Sequence, residues 1–387
     1  MFLPVLLVRD YGIWGFVVFA VPNVIGAGAM GWVLTSQESS RRTVQAHAFA
    51  LRAFSVVTIG FQAFFLGWIP TQIHESSGND AGTRIAQAIL IVAAFFAIRL
   101  FVRRAGHALV ARSALAVLGI SLACAAGLIL LRVGDYWSDV KFRPLMVSDH
   151  SGVVWLAPAC AFGFALCPYL DLTFHRARMN TSRAEAARVF SIGFGIMFLS
   201  MILLTLLIAP LGLGLMGWPI WYAVPFVAGV LLAIHWIVQS TFTVFVHSLE
   251  LPDAAHPSGP RVMGLTISIA LLAGLVGATV PRTLYADLLA GEIIYRLFMS
   301  FYGLLFPAYV WLCMIPARGE RITQKPTQHK LIVFAAACLL AAPCYWMGFI
   351  ERETIWLAPG LGVVLIARLF IKRSSAQATF PRPEGGG

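Results

Sequence analysis

Charged residues are scarce in this sequence, and acidic residues are the scarcer kind. Only 12% of the 387 residues are Asp, Glu, Lys or Arg, with 17 acidic against 28 basic side chains. A soluble domain is roughly 25% charged and roughly 45–50% apolar, whereas 59% of this chain is hydrophobic and its mean hydropathy is +0.82. These deficits exclude an ordinary soluble protein and indicate a polytopic membrane protein with no soluble domain of any size.

Sequence signatures of catalysis, metal binding and nucleic-acid binding are also missing. No HExxH, GxSxG or P-loop pattern occurs, and the cysteines show no CxxC or Cys/His spacing. The six cysteines stand inside or beside apolar runs, so we interpret them as small core residues rather than disulfides or metal ligands. The net charge is +11, but the basic residues fall between apolar runs, which favours a role in membrane topology over nucleic-acid binding.

Eleven stretches are long and apolar enough to form spanning helices, each of which needs about 20 mainly apolar residues. The predicted spans are 13–35, 47–69, 84–102, 110–131, 152–171, 187–210, 220–246, 262–281, 289–316, 330–350 and 354–371. We interpret 1–371 as one transmembrane domain. The remainder, 372–387, ends FPRPEGGG and is predicted to be a disordered cytoplasmic tail.

The distribution of Lys and Arg predicts the orientation of these spans. Basic residues concentrate after odd-numbered spans, as in Arg41 and Arg42, in the run of four arginines over 176–188, and in Lys372 and Arg373. By the positive-inside rule the odd-numbered spans exit to the cytoplasm, which puts the C-terminus inside and the N-terminus outside an inner membrane. Residues 1–12 are too short to span, so we expect that one more helix once preceded Arg9: either residues 1–8 are the stump of that helix, or the start of the chain was placed too late.

Four segments carry a family resemblance. They are YGIWGFVVFAVPNVIGAGAMGWVL (11–34), SSRRTVQAHAFALRAFSVVTIGFQAFF (39–65), FGFALCPYLDLTFHRARMNTSRAEAARVFSIGFGIMFLSMILL (162–204) and IHWIVQSTFTVFV (234–246). In order, they resemble the second core helix, the third core helix with its preceding loop, the sixth core helix with its basic loop, and the eighth core helix of sodium/solute symporters. More loosely, they resemble the amino acid–polyamine–organocation transporters.

The resemblance implies the LeuT fold, an all-α bundle of two inverted five-helix repeats whose helices 1 and 6 unwind at the midplane. With 152–171 as core helix 6 and 13–35 as core helix 2, core helix 1 is absent from this sequence. In an alternative register the glycine-rich segment PNVIGAGAMG (22–31) is the unwound part of helix 1. A third interpretation is close helix packing, since Ala27 and Gly31 have small-xxx-small spacing.

Candidate site residues follow from this transporter hypothesis. The predicted substrate contacts are Gln62, Phe162, Gly163, Phe164, Ala165, His235 and Gln239. Gly163 and Pro168 are expected to break the fifth span. Hydroxyl oxygens suit a hard cation, so Ser240, Thr241 and Thr243 are candidate Na⁺ ligands, although such hydroxyls also bond back to the preceding helical turn.

Two charged groups are interpreted as structural. Asp171 is expected to pair with Arg176 or Arg178 in the basic loop. Glu292 and Arg296, four residues apart, are expected to form a pair within one helix.

The function that the resemblance implies is ion-coupled uptake of a small solute by alternating access, with Na⁺ or H⁺ as the coupling ion and no other cofactor. The alternatives are a non-transporting relative, either a sensor or scaffold or a truncated paralogue, and a membrane-embedded enzyme that uses dispersed His and Asp. The expected partners are the lipid bilayer and the solute, without nucleic acid. The sequence does not predict the oligomeric state.

Overall fold

Helix dominates the structure, because a lipid environment leaves backbone groups no partners except one another. The computed structural model describes residues 2–73, 91–92, 107–131, 151–215, 226–252, 256–281, 283–285, 288–316, 322 and 324–371. The α-helices are α1 (Leu3–Val33), α2 (Gln37–Ala46), α3 (Ala48–Ile73), α4 (His107–Leu130), α5 (Val153–Leu166), α6 (Leu172–Met179), α7 (Arg183–Ile192), α8 (Leu199–Leu215), α9 (Phe226–Leu249), α10 (Gly259–Thr279), α11 (Ala290–Ser300), α12 (Phe306–Tyr309), α13 (Gln328–Phe349) and α14 (Leu357–Ala367).

Shorter elements connect and extend these helices. There are 3-10 helices at Cys167–Leu170, Thr354–Trp356 and Arg368–Phe370, and π-helical segments at Gly193–Phe198, Phe301–Leu305 and Val310–Met314. Strands β1 (Leu284–Tyr285) and β2 (Leu288–Leu289) form a small antiparallel pair, with Leu284 opposite Leu289.

Nine helical segments of the described chain are long and apolar enough to cross a membrane. They are Leu3–Val33, Ala48–Ile69, Leu109–Leu130, Val153–Leu170, Arg183–Leu207, Val227–Leu249, Gly259–Thr279, Ala290–Met314 and Gln328–Phe349. Each overlaps one predicted span, which confirms an all-α polytopic membrane protein. The predicted span 354–371 is a shorter apolar helix, Thr354–Phe370. The predicted span 84–102, except for residues 91–92, and the predicted tail 372–387 lie outside the described residues.

The first helix is bent sharply at Gly12. The φ of 60° and ψ of −153° at this residue separate a half-helix over 3–11 from a longer one over 13–33, and only glycine adopts such a conformation readily. A Cβ atom at Gly15 would overlap the carbonyl oxygen of Leu7, so the first half lies back against the second. Val5 and Leu6 are almost fully buried. Residues 3–11 therefore form a half-helix inside the bundle.

The fifth predicted span is interrupted at its end rather than at Gly163, where the sequence predicted a break. Gly163 lies within regular α-helix, and the helix tightens to 3-10 geometry only at Cys167–Leu170, which includes Pro168. Asp171 then adopts extended geometry and begins α6, where its side chain accepts a hydrogen bond from the Thr173 backbone N–H. The discontinuity therefore lies at the end of the span.

The glycine-rich segment 22–31 is continuous helix, so the interpretation of this segment as an unwound helix is wrong. A Cβ at Gly26 would lie 2.8 Å from Ala165 Cα, and a Cβ at Gly31 would lie 2.7 Å from Phe190 Cβ. Gly28, by contrast, has no described atom within 4 Å of its Cβ position. Two of these glycines thus allow α5 and α7 to pack closely against α1.

The described connections that follow odd-numbered predicted spans all lie at one end of the bundle, where they contact one another. Arg178 donates to Leu34 O, and Arg176 donates to Leu249 O. Likewise the His47 ring contacts Ile322 O, and Arg368 donates to Ile315 O. We call this end, formed by residues 34–47, 171–182, 247–252, 315–316 and 368–371, the basic face. The other end, near Gly12, Gly152 and Thr354, is the opposite face.

Candidate functional site

A cavity of about 470 Å³ lies in the centre of the bundle and reaches the basic face. This volume falls within the roughly 300–1,000 Å³ range of small-molecule sites. Aromatic side chains form much of its wall: Phe2, Phe19, Phe54, Phe61, Phe65, Phe164, Phe174, Phe194, Phe198, Trp236, Phe242, Tyr295 and Tyr302. Residues 2–4, at the start of the half-helix, also line this central cavity.

Polar groups interrupt the aromatic wall at a few positions. The wall contains Asn23, Thr58, Gln62, Gln239, Ser240, Thr243, Asp171 and His247. Trp236 is 3% exposed, and its indole Nε1 has no hydrogen-bond partner among the described residues. A buried donor of this kind is rare in folded proteins, and Trp236 is one of the residues that line the cavity.

The cavity brings together some of the predicted substrate contacts but not others. Gln62, Phe164 and Gln239 line it, and the Gln239 amide also donates to Ser121 Oγ at 2.9 Å. The remaining predicted contacts lie elsewhere. His235 bonds Ser121 from outside the cavity, Phe162 packs edge-on against Trp311, Gly163 borders a second, smaller cavity, and Ala165 lies beside Gly26.

The three candidate sodium ligands do not all line the central cavity. Ser240 and Thr243 line the central cavity, whereas Thr241 lines neither of the two cavities described here. Thr243 Oγ1 donates to the Gln239 carbonyl one turn earlier, at 2.9 Å. This is the back-bonded arrangement typical of hydroxyls in membrane helices. Within the described part of the chain, no three His, Cys, Asp or Glu side chains are grouped as metal ligands would be.

Titratable side chains mark the end of the central cavity at the basic face. Asp171 Oδ2 lies 4.0 Å from His247 Nε2, and their side chains are only 14% and 6% exposed. The other ring nitrogen of His247 lies 3.3 Å from Ser55 Oγ. The expected pairing of Asp171 with the loop arginines is not observed. The start of α6 turns Arg178 towards Leu34 O and Thr35 O instead.

Arg176 forms an ion pair with Glu250 just behind this end of the cavity. The Nε–Oε1 distance is 2.9 Å, and the Glu250 side chain is only 9% exposed. Burial raises the pKa of Glu250 to about 7; the negative charge of Asp171 adds to this rise, and Arg176 opposes it. The carboxyl group of Glu250 therefore titrates near neutral pH.

Two other histidines near the basic face contact backbone carbonyl oxygens. The Nε2 of His175 lies 2.9 Å from Tyr169 O, so this nitrogen donates and Nδ1 accepts from Ser40 Oγ. His47 lies between Ile322 O and the Tyr309 hydroxyl. Burial lowers the pKa of both imidazoles.

Four buried charges close the bundle near the opposite face. Arg9 donates to both carboxylate oxygens of Glu292, at 2.8 and 2.6 Å, and to Asp10 at 2.7 Å. Arg296 donates to Glu292 at 2.9 Å, to Asp10, and to the Phe349 carbonyl at 2.9 Å. We call Arg9, Asp10, Glu292 and Arg296 the charge network. Two positive and two negative charges balance within it, and the predicted Glu292–Arg296 pair is confirmed.

A smaller cavity of about 70 Å³ separates the charge network from the central cavity. Asp10, Tyr11 and Arg296 border it on the network side. Four further residues border both cavities and so form the partition between them: Leu3, Phe164, Met299 and Tyr302. The central cavity is thus bounded on this side by the partition, with the charge network beyond it.

Within the charge network only the Glu292–Arg296 pair was predicted; the part played by Arg9 and Asp10 was not, and neither was the Arg176–Glu250 pair. Arg9 and Asp10 stand directly after the apolar run FLPVLLV, and ionisable residues in such a setting are functional candidates by default. That signal was available in the sequence. Glu250 and His247 stand at the end of a span among ordinary loop residues, so the sequence offered no comparable signal for them.

The comparisons with known proteins do not assign a family. The chain matches no protein-family model and no curated protein.

Proposed function

We propose that the chain is a secondary transporter-like protein that moves a small solute across a membrane by alternating access. The observation that carries this proposal is the central cavity, whose lining includes residues of the basic face and none of the charge network. It reaches the basic face at Asp171 and His247, while four buried charges lie between it and the opposite face. An alternating-access carrier in one of its end states has such an arrangement, with a site near the midplane and one closed end.

The interrupted helices support the same proposal. The half-helix over 3–11 begins at the central cavity and ends at the charge network. Discontinuous helices whose ends meet at a central site are typical of LeuT-like carriers. In a register where 13–33 corresponds to the second core helix, we propose this half-helix as the counterpart of the second half of core helix 1.

The chemistry of the wall indicates the class of solute. Aromatic rings surround the cavity, and the polar groups away from the basic face are all neutral: the amides of Asn23, Gln62 and Gln239 and the hydroxyls of Thr58, Ser240 and Thr243. Such a wall suits a flat, largely apolar solute, stacked on rings and oriented by hydrogen bonds. We therefore propose an aromatic or heteroaromatic solute that carries at least one hydrogen-bond acceptor for the Trp236 indole.

Reconstitution tests this proposal. The purified full chain in proteoliposomes is expected to accumulate at least one member of a radiolabelled panel of aromatic amino acids, nucleobases and aromatic amines. Trp236→Phe keeps a ring but removes the indole N–H, so the half-saturation concentration should rise about 3- to 10-fold, the equivalent of one neutral hydrogen bond. Trp311→Phe is the matched control, since Trp311 also has a buried unpartnered Nε1 but borders neither described cavity. Uptake no greater than in empty liposomes for the whole panel would overturn the proposal.

A membrane-embedded enzyme is the second candidate, and one observation favours it. Asp171 and His247 face each other at the mouth of a cavity, as an acid–base pair could. The wall around them is mostly apolar, which favours binding over chemistry. Chemical conversion of a panel member by the purified protein, lost in Asp171→Asn, would support the enzyme instead.

A further inference from the structure

The end of the central cavity at the basic face contains more titratable groups than solute binding alone requires. Asp171 and His247 line the wall, and Glu250 stands close enough for its pKa to be raised by the Asp171 charge. These three residues come from two elements, the start of α6 and the end of α9. We call Asp171, His247 and Glu250 the acid–imidazole group.

The hydrogen bonds of Asp171 and His247 leave a carboxylate oxygen of one facing a ring nitrogen of the other. One oxygen of Asp171 accepts from the Thr173 backbone N–H and hydroxyl at 2.8 and 2.7 Å, which leaves Oδ2 facing His247. The contacts of His247 are a hydroxyl at 3.3 Å and this carboxylate at 4.0 Å. Neither contact prevents both ring nitrogens from carrying hydrogen. This distinguishes His247 from His175, whose Nδ1 accepts a hydrogen bond from Ser40.

The surroundings of the group keep its net charge small. The titratable and charged residues that face it are Arg176 and His175 from α6, Cys167 from the end of the fifth predicted span, and Tyr302 from the ninth. Ser55 of α3 contributes a neutral hydroxyl. Arg176 is the cation in this set, and it is committed to Glu250 and the Leu249 carbonyl. Two carboxylates and one fixed cation therefore leave room for one further positive charge.

We propose that the ion coupled to transport is a proton, and that it binds on the acid–imidazole group at the basic-face end of the central cavity. This inference rests on the proposed transport function and replaces the sodium ligands expected from sequence. Thr241 does not line the central cavity and Thr243 is bonded back to Gln239, whereas Asp171 and His247 both line it and lie 4.0 Å apart.

Proton binding changes the contacts that hold the basic face together. A proton from the aqueous side forms an O–H bond on Glu250, and the neutral carboxyl then holds Arg176 less strongly. The Arg176–Glu250 pair ties α6 to the end of α9, so its loss frees the segment that begins at Asp171. The contact between Asp171 and His247, at 4.0 Å, joins the same two elements and remains in place. Protonation of Glu250 thus releases one of the two ties between α6 and α9 and keeps the other.

Infrared difference spectroscopy of the reconstituted full chain tests proton binding without knowledge of the solute. We expect a carboxylic-acid C=O band that disappears with a midpoint near pH 7. Glu250→Gln should remove this band. Arg176→Gln should keep the band and move its midpoint upward by roughly one pH unit, because the opposing cation is gone.

Controls separate this result from misfolding. Glu353→Gln alters an exposed carboxylate outside the basic face and should leave the band intact. If Glu250→Gln does not fold, the direction in which Arg176→Gln shifts the midpoint of the band still tests the assignment. A band that survives in folded Glu250→Gln, or a midpoint that does not rise in Arg176→Gln, would overturn the assignment.

A transport experiment separates failure of this inference from failure of the proposed function. For a solute taken up by the proteoliposomes, an imposed pH gradient should drive accumulation and Glu250→Gln should abolish the gradient dependence. Accumulation driven by a sodium gradient at equal pH would overturn the proton assignment while preserving transport. A titrating Glu250 band without uptake of any panel member would overturn transport while preserving the proton site.

Discussion

The guanidinium of Arg9 donates to both carboxylate oxygens of Glu292, at 2.8 and 2.6 Å, although 283 positions separate the two residues. This bidentate geometry is the strongest form of carboxylate recognition by arginine. It fastens the half-helix over 3–11 to α11. Because Arg296 and Asp10 complete the set, removal of one member leaves an uncompensated charge in an apolar environment.

Glu292→Gln is therefore expected to destabilise the protein by about 3–5 kcal/mol, the usual cost of breaking a buried ion pair from one side. The midpoint of a reversible SDS titration measures this change in the free energy of unfolding. Glu353→Gln is the matched control, because that carboxylate is exposed and its replacement should change little. Equal losses in the two variants would show that the charge network adds no stability.

The charge network should also act as a barrier to solutes. Asn23 lines the central cavity, so Asn23→Cys should react with a membrane-impermeant maleimide added to the basic face and not to the opposite face. Adding Glu292→Ala should permit reaction from both sides. Val21→Cys, on the same helix and 51% exposed away from the cavity wall, should react from neither. Labelling of Asn23→Cys from both sides without Glu292→Ala would contradict a closed opposite end.

The membrane spans could be predicted from sequence because an apolar segment surrounded by lipid forms a helix. An apolar run of about 20 residues must satisfy its own backbone, so its length and composition identify it without knowledge of its neighbours. The pair of Glu292 and Arg296 was predictable for a similar reason, since a spacing of four residues fixes their proximity on a helix.

The site itself required three-dimensional information. Gly12 reverses the chain and brings Arg9 to Glu292, but many glycines in the sequence lie in regular helix. Asp171 stands five residues before Arg176, yet the direction in which α6 begins turns Arg176 towards Glu250 and leaves Asp171 beside His247. The sequence spacing suggested Arg176 as a partner for Asp171, but the path of the backbone turns their side chains towards other residues.

Two glycines of one helix provide a matched test of packing. Gly26→Ala places a Cβ atom against the backbone of Phe164 and Ala165, and backbone cannot give way as a flexible side chain does. We expect a loss of about 1–3 kcal/mol. Gly28→Ala, with no described atom within 4 Å, should instead gain about 0.5–1 kcal/mol from the higher helix propensity of alanine. SDS titration of both variants measures these changes, and losses in both would favour a flexible glycine hinge.

Stability should depend on pH through Glu250. Its pKa is raised from the usual 4.5 to about 7, mainly by burial, so the folded protein binds this proton more tightly than the unfolded chain. Its contribution to stability is therefore complete below pH 4.5 and is lost as the pH rises through 7. The loss is on the order of 3 kcal/mol, and Glu250→Gln should abolish it.

Buried histidines change the stability with pH in the opposite direction, so their contribution has to be separated from that of Glu250. Burial lowers the pKa of His175, so its contribution is lost as the pH falls and stability from this source rises with pH. The informative quantity is therefore the difference in free energy of unfolding between wild type and Glu250→Gln, measured by SDS titration at a series of pH values. His175 is present in both proteins and cancels from that difference. The stability of wild type relative to Glu250→Gln should fall as the pH rises, with its midpoint near pH 7. A difference that stays constant would mean that Glu250 remains ionised throughout.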